Sequence, residues 1–138
     1  MPITLQWDND NQTVLRTIFW NHWTMEELNR QVNPFLMMLN SVDHIVDVLV
    51  DLRSGSYMPK EISVPLFRQA IDQLPQNVGI IVFVNDDATH QRMFNVFESF
   101  ERARRPNTPR RLFMVQTLTD ANIVFHQHHV KRNQRLSS

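Results

Sequence analysis

An apolar run ends in Asp51, and Arg53, Ser54, Gly55, Ser56 and Tyr57 follow before Pro59 and Lys60 (VLVDLRSGSYMPKEI, 48–62). A strand that runs into small residues and then a helix leaves backbone N–H groups unpaired at the helix start, and Gly55 lets an anion approach them. Arg53 adds a charge-assisted contact to such an anion. The pattern is neither a P-loop nor a G-x-G-x-x-G fingerprint. The plainer reading is a tight strand-to-helix turn with Arg53 paired to a neighbouring aspartate. Arg53, Ser54, Gly55, Ser56, Tyr57 and Lys60 are thus the candidate partner- or anion-binding loop.

A second group is RARRPNTPRR, in which Arg102, Arg104, Arg105, Arg110 and Arg111 surround two prolines. Guanidinium groups bind phosphate and carboxylate bidentately, so this loop suits an acidic partner or an anionic head group. Aromatics for stacking bases are missing from it, which argues against single-stranded nucleic acid. The competing expectation is a solvated loop. A third group is FHQHHVKR, where His126 and His129 are three apart on a helix, yet neither a cysteine nor a carboxylate completes a ligand set, so no metal site is expected. Asp8/Asp10, Asp43/Asp47 and Asp86/Asp87 are explained by turns or strand ends, and no nucleophile–base–acid grouping follows from spacing. No catalytic residue and no cofactor are expected.

The last group is aromatic. In FWNHW, Trp20 and Trp23 flank His22 where a strand meets a helix. They either plug the end of the sheet or, with Met58, form a lip for an apolar ligand or a dimer contact. Met25, Met37, Met38 and Met93 are adaptable fillers of the kind used in loose apolar pockets.

These residues need a scaffold, and the sequence describes one. ITLQW, DNDNQ and TVLRTIFW read as a β-hairpin, with Val14, Arg16, Ile18 and Trp20 on one face and Leu15, Thr17 and Phe19 on the other. Thr24 with Glu27 forms a capping box for a helix whose apolar stripe is Leu28, Val32, Phe35, Leu36 and Leu39, with Pro34 inside it. HIVDVLVDL reads as a central parallel strand covered on both faces. A helix follows from Pro59, with Ile62, Leu66, Ala70 and Leu74 on its apolar side and Pro65 near its regular start. VGIIVFV is a second buried strand, Phe94, Phe97 and Phe100 mark a third helix, and RLFMVQ is a last strand. Thr117 and Asp120 start a final helix carrying Ala121, Val124, Phe125 and His128.

The order is β-β-α-β-α-β-α-β-α, which predicts an α/β fold with a mixed, mostly parallel sheet. At 138 residues, 42% apolar and 20% charged, one domain over 1–138 is expected, with its end from about 131 frayed. The longest apolar run is too short to span a bilayer, and the first residues lack a basic-then-apolar signal. With no cysteine, there is neither a disulfide framework nor thiolate chemistry, and a cytoplasmic protein is expected. Formal net charge is zero, although residues 1–69 carry 5 basic against 8 acidic residues and 70–138 carry 9 against 6. A nucleic-acid partner is not expected from this balance.

ITLQWDNDNQTVLRTIFWNHWTMEEL, SVDHIVDVLVDLRSG and NVGIIVFVN resemble the STAS or SpoIIAA-like fold family, small α/β modules of anti-sigma-factor antagonists and sulfate-transporter tails. The likeness covers nearly the whole chain and is nearest to STAS-like single-domain bacterial proteins. It rests on the W-T-x-E-E-L helix start, the D-x-R loop and the G-I-I-V strand. In the antagonists, a D-S-[ST]-G motif after the central strand carries a serine phosphorylated by a partner kinase. Laid on this chain from Asp51 and Leu52, that motif falls near Pro59, Lys60 and Glu61, none a hydroxyl residue; Ser54, Ser56 and Ser63 fit only in a shifted register. The resemblance therefore implies a non-enzymatic regulatory or protein-interaction module, working on a protein partner or as a homo-oligomer. The alternative is a carrier or sensor of a small apolar or amphipathic ligand.

Overall fold

The computed structural model describes residues 3–20, 22–53, 64–85 and 88–137, without the side chains of 64, 66, 67, 88–90, 92, 93 and 135–137. Its elements are β1 (Ile3–Trp7), β2 (Val14–Phe19), α1 (Met25–Asn40), β3 (Val46–Asp51), α2 (Val64–Asp72), β4 (Val78–Val84), α3 (Ala88–Arg104), β5 (Leu112–Val115) and α4 (Leu118–Ser137). The strands form one five-stranded sheet in the order β1-β2-β3-β4-β5. β1 is antiparallel to β2, in register from Ile3↔Phe19 to Trp7↔Leu15. The pairs β2–β3, β3–β4 and β4–β5 are parallel.

The hairpin closes through the turn chemistry its residues supply. The Asn9 side chain accepts from the Thr13 N–H (3.0 Å) and donates to the Thr13 hydroxyl (2.6 Å), while Gln12 takes a left-handed φ of 56°. Thr24 caps α1: its hydroxyl accepts from the Glu27 N–H (3.1 Å) and donates to the Glu27 carboxylate (3.2 Å). Pro34 sits exposed inside α1, which runs on to Asn40. α2 as described opens at Val64 with Pro65 in its first turn, where a missing N–H costs nothing; Pro59 and Ile62 lie outside the described residues.

A sheet that grows strand by strand in one direction through crossovers of one hand puts all its crossover helices on the same face. The core follows that rule. Leu15, Phe19, Val46, Val48, Ile81, Phe83 and Leu112 pack with Leu39 of α1 and Phe94 of α3 on one face. Leu49, Ile80, Val82 and Val84 pack with Ala121 and Phe125 of α4 on the other. Because both faces are covered, β3 and β4 read as near-continuous apolar runs rather than alternating ones.

One irregularity orders the far end of this sheet. Val46 pairs with Val78 but Val48 with Ile81, so β4 holds an extra residue opposite Asp47. The buried Asp47 carboxylate fills the space: it accepts from the Ile80 N–H (2.8 Å) and from Arg132 of α4. A Cβ on Gly79 would collide with Asp47 Oδ1, so only glycine fits there. Asp47, the second residue of β3, is thus a structural anchor at the start of that strand. Through Arg132 it also ties down α4, whose described residues run to Ser137. Among the described residues, no helix is long and apolar enough to cross a membrane.

Candidate functional site

The Asp51–Arg53 corner is built as an ion-paired turn. Asp51 is 1% exposed at the end of β3. Its carboxylate accepts from the Arg53 N–H (3.1 Å), from Arg53 Nε and Nη2 (3.0 Å each), and from Arg16 Nη2 of β2 (2.6 Å). Burial alone would push this carboxyl up. The hydrogen bonds from Arg53 and then Arg16 outweigh it and hold Asp51 below the usual 3.8. The same hydrogen bonds, donated to Asp51, raise the Arg53 guanidinium, against a smaller effect of burial. The guanidinium that was to meet an incoming anion is therefore already engaged by Asp51. Ser54, Gly55, Ser56, Tyr57, Met58 and Lys60 lie outside the described residues.

The arginine-rich segment is paired rather than merely solvated. Glu101, 7% exposed on α3, takes Arg111 through both carboxylate oxygens and Arg105 at 3.3 Å. Glu98 takes Arg102 and, at 3.4 Å, Arg110, which also lies 5.0 Å over the Phe113 ring. Arg104 reaches Asp72 at the end of α2. Residues 102–110 are all exposed, as the solvated-loop expectation has it, and the arginines of the segment also meet carboxylates on α2 and α3; a buried Glu101 must be paired to stay charged. An open cavity of about 390 Å³ lies between these residues and Leu74–Val78.

The histidines divide between packing and solvent. His128 stacks edge-on to Phe113 (5.0 Å between centroids), and its Nδ1 lies 3.1 Å from the Val124 carbonyl oxygen. His126 and His129 are exposed, and His129 Nε2 lies 3.2 Å from Asn133 Nδ2. Among the described residues, no group of three or more His, Asp or Glu is placed to hold a metal.

Trp20 and Trp23 do not share a lip. Trp20 is 42% exposed, and its Nε1 donates to the Thr4 hydroxyl (3.1 Å) on the α4 side of the sheet. Trp23 is 2% exposed on the opposite face, edge-on to Phe19 at 4.9 Å. His22, with a left-handed φ of 57°, turns the chain between them.

Trp23 instead lines an apolar cavity of about 160 Å³ between the sheet and helices α1 and α2. Val32, Phe35 and Leu36 of α1 and Ala70 and Ile71 of α2 form its roof, and Thr17, Val48, Val50 and Phe83 its floor. The expected stripe of α1 is therefore only half-buried apart from Leu39, because it faces this space instead of a packed neighbour. Gln31 and Thr17 are the polar residues among the described lining, and no described lining residue is charged. Two lining residues carry buried polar atoms without a hydrogen-bond partner: Thr17 Oγ1 and Trp23 Nε1. Arg16 Nε and Glu27 Oε2 are in the same condition but belong to residues outside the cavity. A cleft between α1 and α2, lined by Asn29, Asn33, Gln69 and Gln73, shares Val32 and Ala70 with the cavity.

Thr17 and this cleft are functional candidates that sequence reasoning passed over. The available signal was a lone threonine between Leu15 and Phe19 on an otherwise apolar face, with amides recurring on the exposed side of two helices. No family model, curated protein or solved structure matches this chain.

Proposed function

We propose that this chain is a non-enzymatic α/β binding module of STAS-like type, and that it carries or senses a small, mostly apolar ligand in the cavity under α1 and α2. The observation that supports this reading is an apolar cavity of about 160 Å³ between the sheet and helices α1 and α2. An engineered apolar cavity of about 150 Å³ takes up benzene, so the space suits a compact molecule of similar or slightly larger size. Left empty, a cavity of this volume costs about 4 kcal/mol at the rate found for engineered cavities. A ligand that fills the space recovers this term.

The test is the native mass of protein purified gently without detergent. Extra mass over the 16.4 kDa chain that leaves on denaturation is expected. The bare chain, together with a thermal midpoint unmoved by saturating ethylbenzene, would rule the reading out.

A regulatory module acting on a protein partner or as a homodimer is the second reading. It is favoured by the placement of Trp20 and Arg53. Each lies two residues beyond the paired positions Ile18 and Asp51, so an exposed indole and a half-exposed guanidinium follow the ends of neighbouring strands. Tryptophan and arginine are the residues most often found to anchor protein interfaces. Loss of partner capture on Trp20→Ala, with the fold intact, supports this reading, and unchanged capture removes it.

A further inference from the structure

We infer that the open cavity of about 390 Å³ at the ends of α2 and α3 is a second binding site, and that it takes a small monoanion, a carboxylate on a short apolar body. Among the described residues of its wall, three arginines, Arg104, Arg105 and Arg111, stand against two carboxylates, Asp72 and Glu101. One positive charge is left over. Leu74, Pro75 and Val78 add apolar surface to the same wall. Filling this site does not depend on the apolar cavity under α1 and α2.

The arginines are held in place before any ligand arrives. Arg111 is fixed at both ends: its carbonyl accepts from the Ile81 N–H of β4 (2.7 Å), and its guanidinium donates to both oxygens of Glu101. The Arg105 N–H donates to the Glu101 carbonyl (3.0 Å), and the Arg105 carbonyl accepts from the Thr108 hydroxyl (2.8 Å), which closes the turn after α3. A guanidinium carries more N–H groups than a single contact uses. Arg105 gives Glu101 one contact at 3.3 Å and Arg104 meets Asp72, while their side chains stay 40% and 43% exposed. Each therefore keeps donors for an anion in the cavity that both line. Glu101 is buried, and a buried ion pair is a poor stabiliser beside apolar side chains of the same volume. Orienting two guanidinium groups is what apolar side chains cannot do.

The surplus charge sets the class of ligand. A carboxylate neutralises it and gains charge-assisted hydrogen bonds from planar guanidinium forks. A phosphate dianion brings more negative charge than the surplus, next to Asp72 and Glu101 in the same wall. A neutral molecule gains the apolar contact alone.

The experiment titrates the full chain at neutral pH with phenylacetate, 2-phenylethanol and phenyl phosphate, read by methyl NMR. Phenylacetate is expected to shift Val78 saturably, with Val32, Val48 and Val50 of the apolar cavity unmoved. Judged at Val78, it should bind roughly tenfold more tightly than 2-phenylethanol, because only it meets the arginines as an anion. Arg105→Gln, and independently Arg104→Gln, should abolish that advantage at an unchanged fold. Arg102→Gln, which lies outside the wall, should leave it intact. No shift at Val78, equal binding of phenylacetate and 2-phenylethanol, or tighter binding of phenyl phosphate would overturn the inference. So would an equal loss in Arg102→Gln, which would mean diffuse attraction by the whole segment. Phenylacetate shifting Val32 and Val48 in place of Val78 would overturn it too, and would leave the ligand reading of the apolar cavity standing.

Discussion

Trp23 and Thr17 line one apolar cavity from different elements, and in each the polar atom is buried with no hydrogen-bond partner. A protein that pays this cost in the ligand-free state has kept two polar groups where a phenylalanine and a valine would pack. That leads to a stability prediction opposite in sign to the usual one for core substitutions. Ligand-free Thr17→Val and Trp23→Phe should be as stable as the unaltered chain or more stable by about 1 kcal/mol, since each removes an unsatisfied group at nearly constant shape. Urea midpoints measure this. A loss above about 1 kcal/mol in both would mean that these groups are satisfied in the ligand-free protein.

Gly79→Ala is expected to destabilise the fold by about 1–3 kcal/mol, the range for forcing extra volume into a packed site. The new methyl meets the Asp47 carboxylate, which is itself held by the Ile80 N–H and Arg132. Asp47→Ala combined with Gly79→Ala should show strong non-additivity, because the first change vacates the space the second needs. Equilibrium unfolding of the two single variants and the double variant reads out this coupling.

Asp51→Asn should cost about 1–3 kcal/mol at neutral pH, because it removes the carboxylate that Arg16 and Arg53 share. Its pH dependence is fixed in sign. The folded-state pKa of Asp51 lies below the ordinary 3.8, so the stabilisation is fully present above that value and fades as pH falls through the folded pKa. The gap in stability between Asp51→Asn and the unaltered chain should therefore be flat from pH 5 to 7 and narrow below about pH 4. A gap that widens on acidification would contradict the pairing.

Within the arginine-rich segment, burial decides which charges matter. Glu101→Gln, which leaves Arg111 and Arg105 facing a neutral group, should cost about 1–3 kcal/mol. Arg102→Ala should fall within about 0.5 kcal/mol, since that side chain is 74% exposed and its pair with Glu98 is a surface one. Thermal midpoints at low and high salt separate the two cases.

Much of the scaffold was legible because its signals are local. The alternation Leu15, Thr17, Phe19 against Val14, Arg16, Ile18 assigned the faces of β2, and Thr24 with Glu27 and Thr117 with Asp120 set two helix starts. The inward side of α4, Ala121, Phe125 and His128, followed from helical spacing alone. What stayed hidden depends on distant parts of the chain. Arg104 finds Asp72 and Arg132 finds Asp47 across separations that no window of sequence reports. Trp20 and Trp23 are three residues apart and lie on opposite faces of the sheet. The cavity was the least legible, because it is space left between helices and sheet. Val32, Phe35 and Leu36 read as ordinary core whether they meet a neighbour or a void.

The measurement that bears most directly on the central claim is a methyl-resolved NMR titration of the full chain with acetophenone. Binding in the cavity predicts saturable shifts at Val32, Val48, Val50, Ala70 and Ile71, with the surface methyls of Ile123 and Val130 unmoved. No saturable shift, or shifts centred on the Trp20 flank of the sheet, would contradict it.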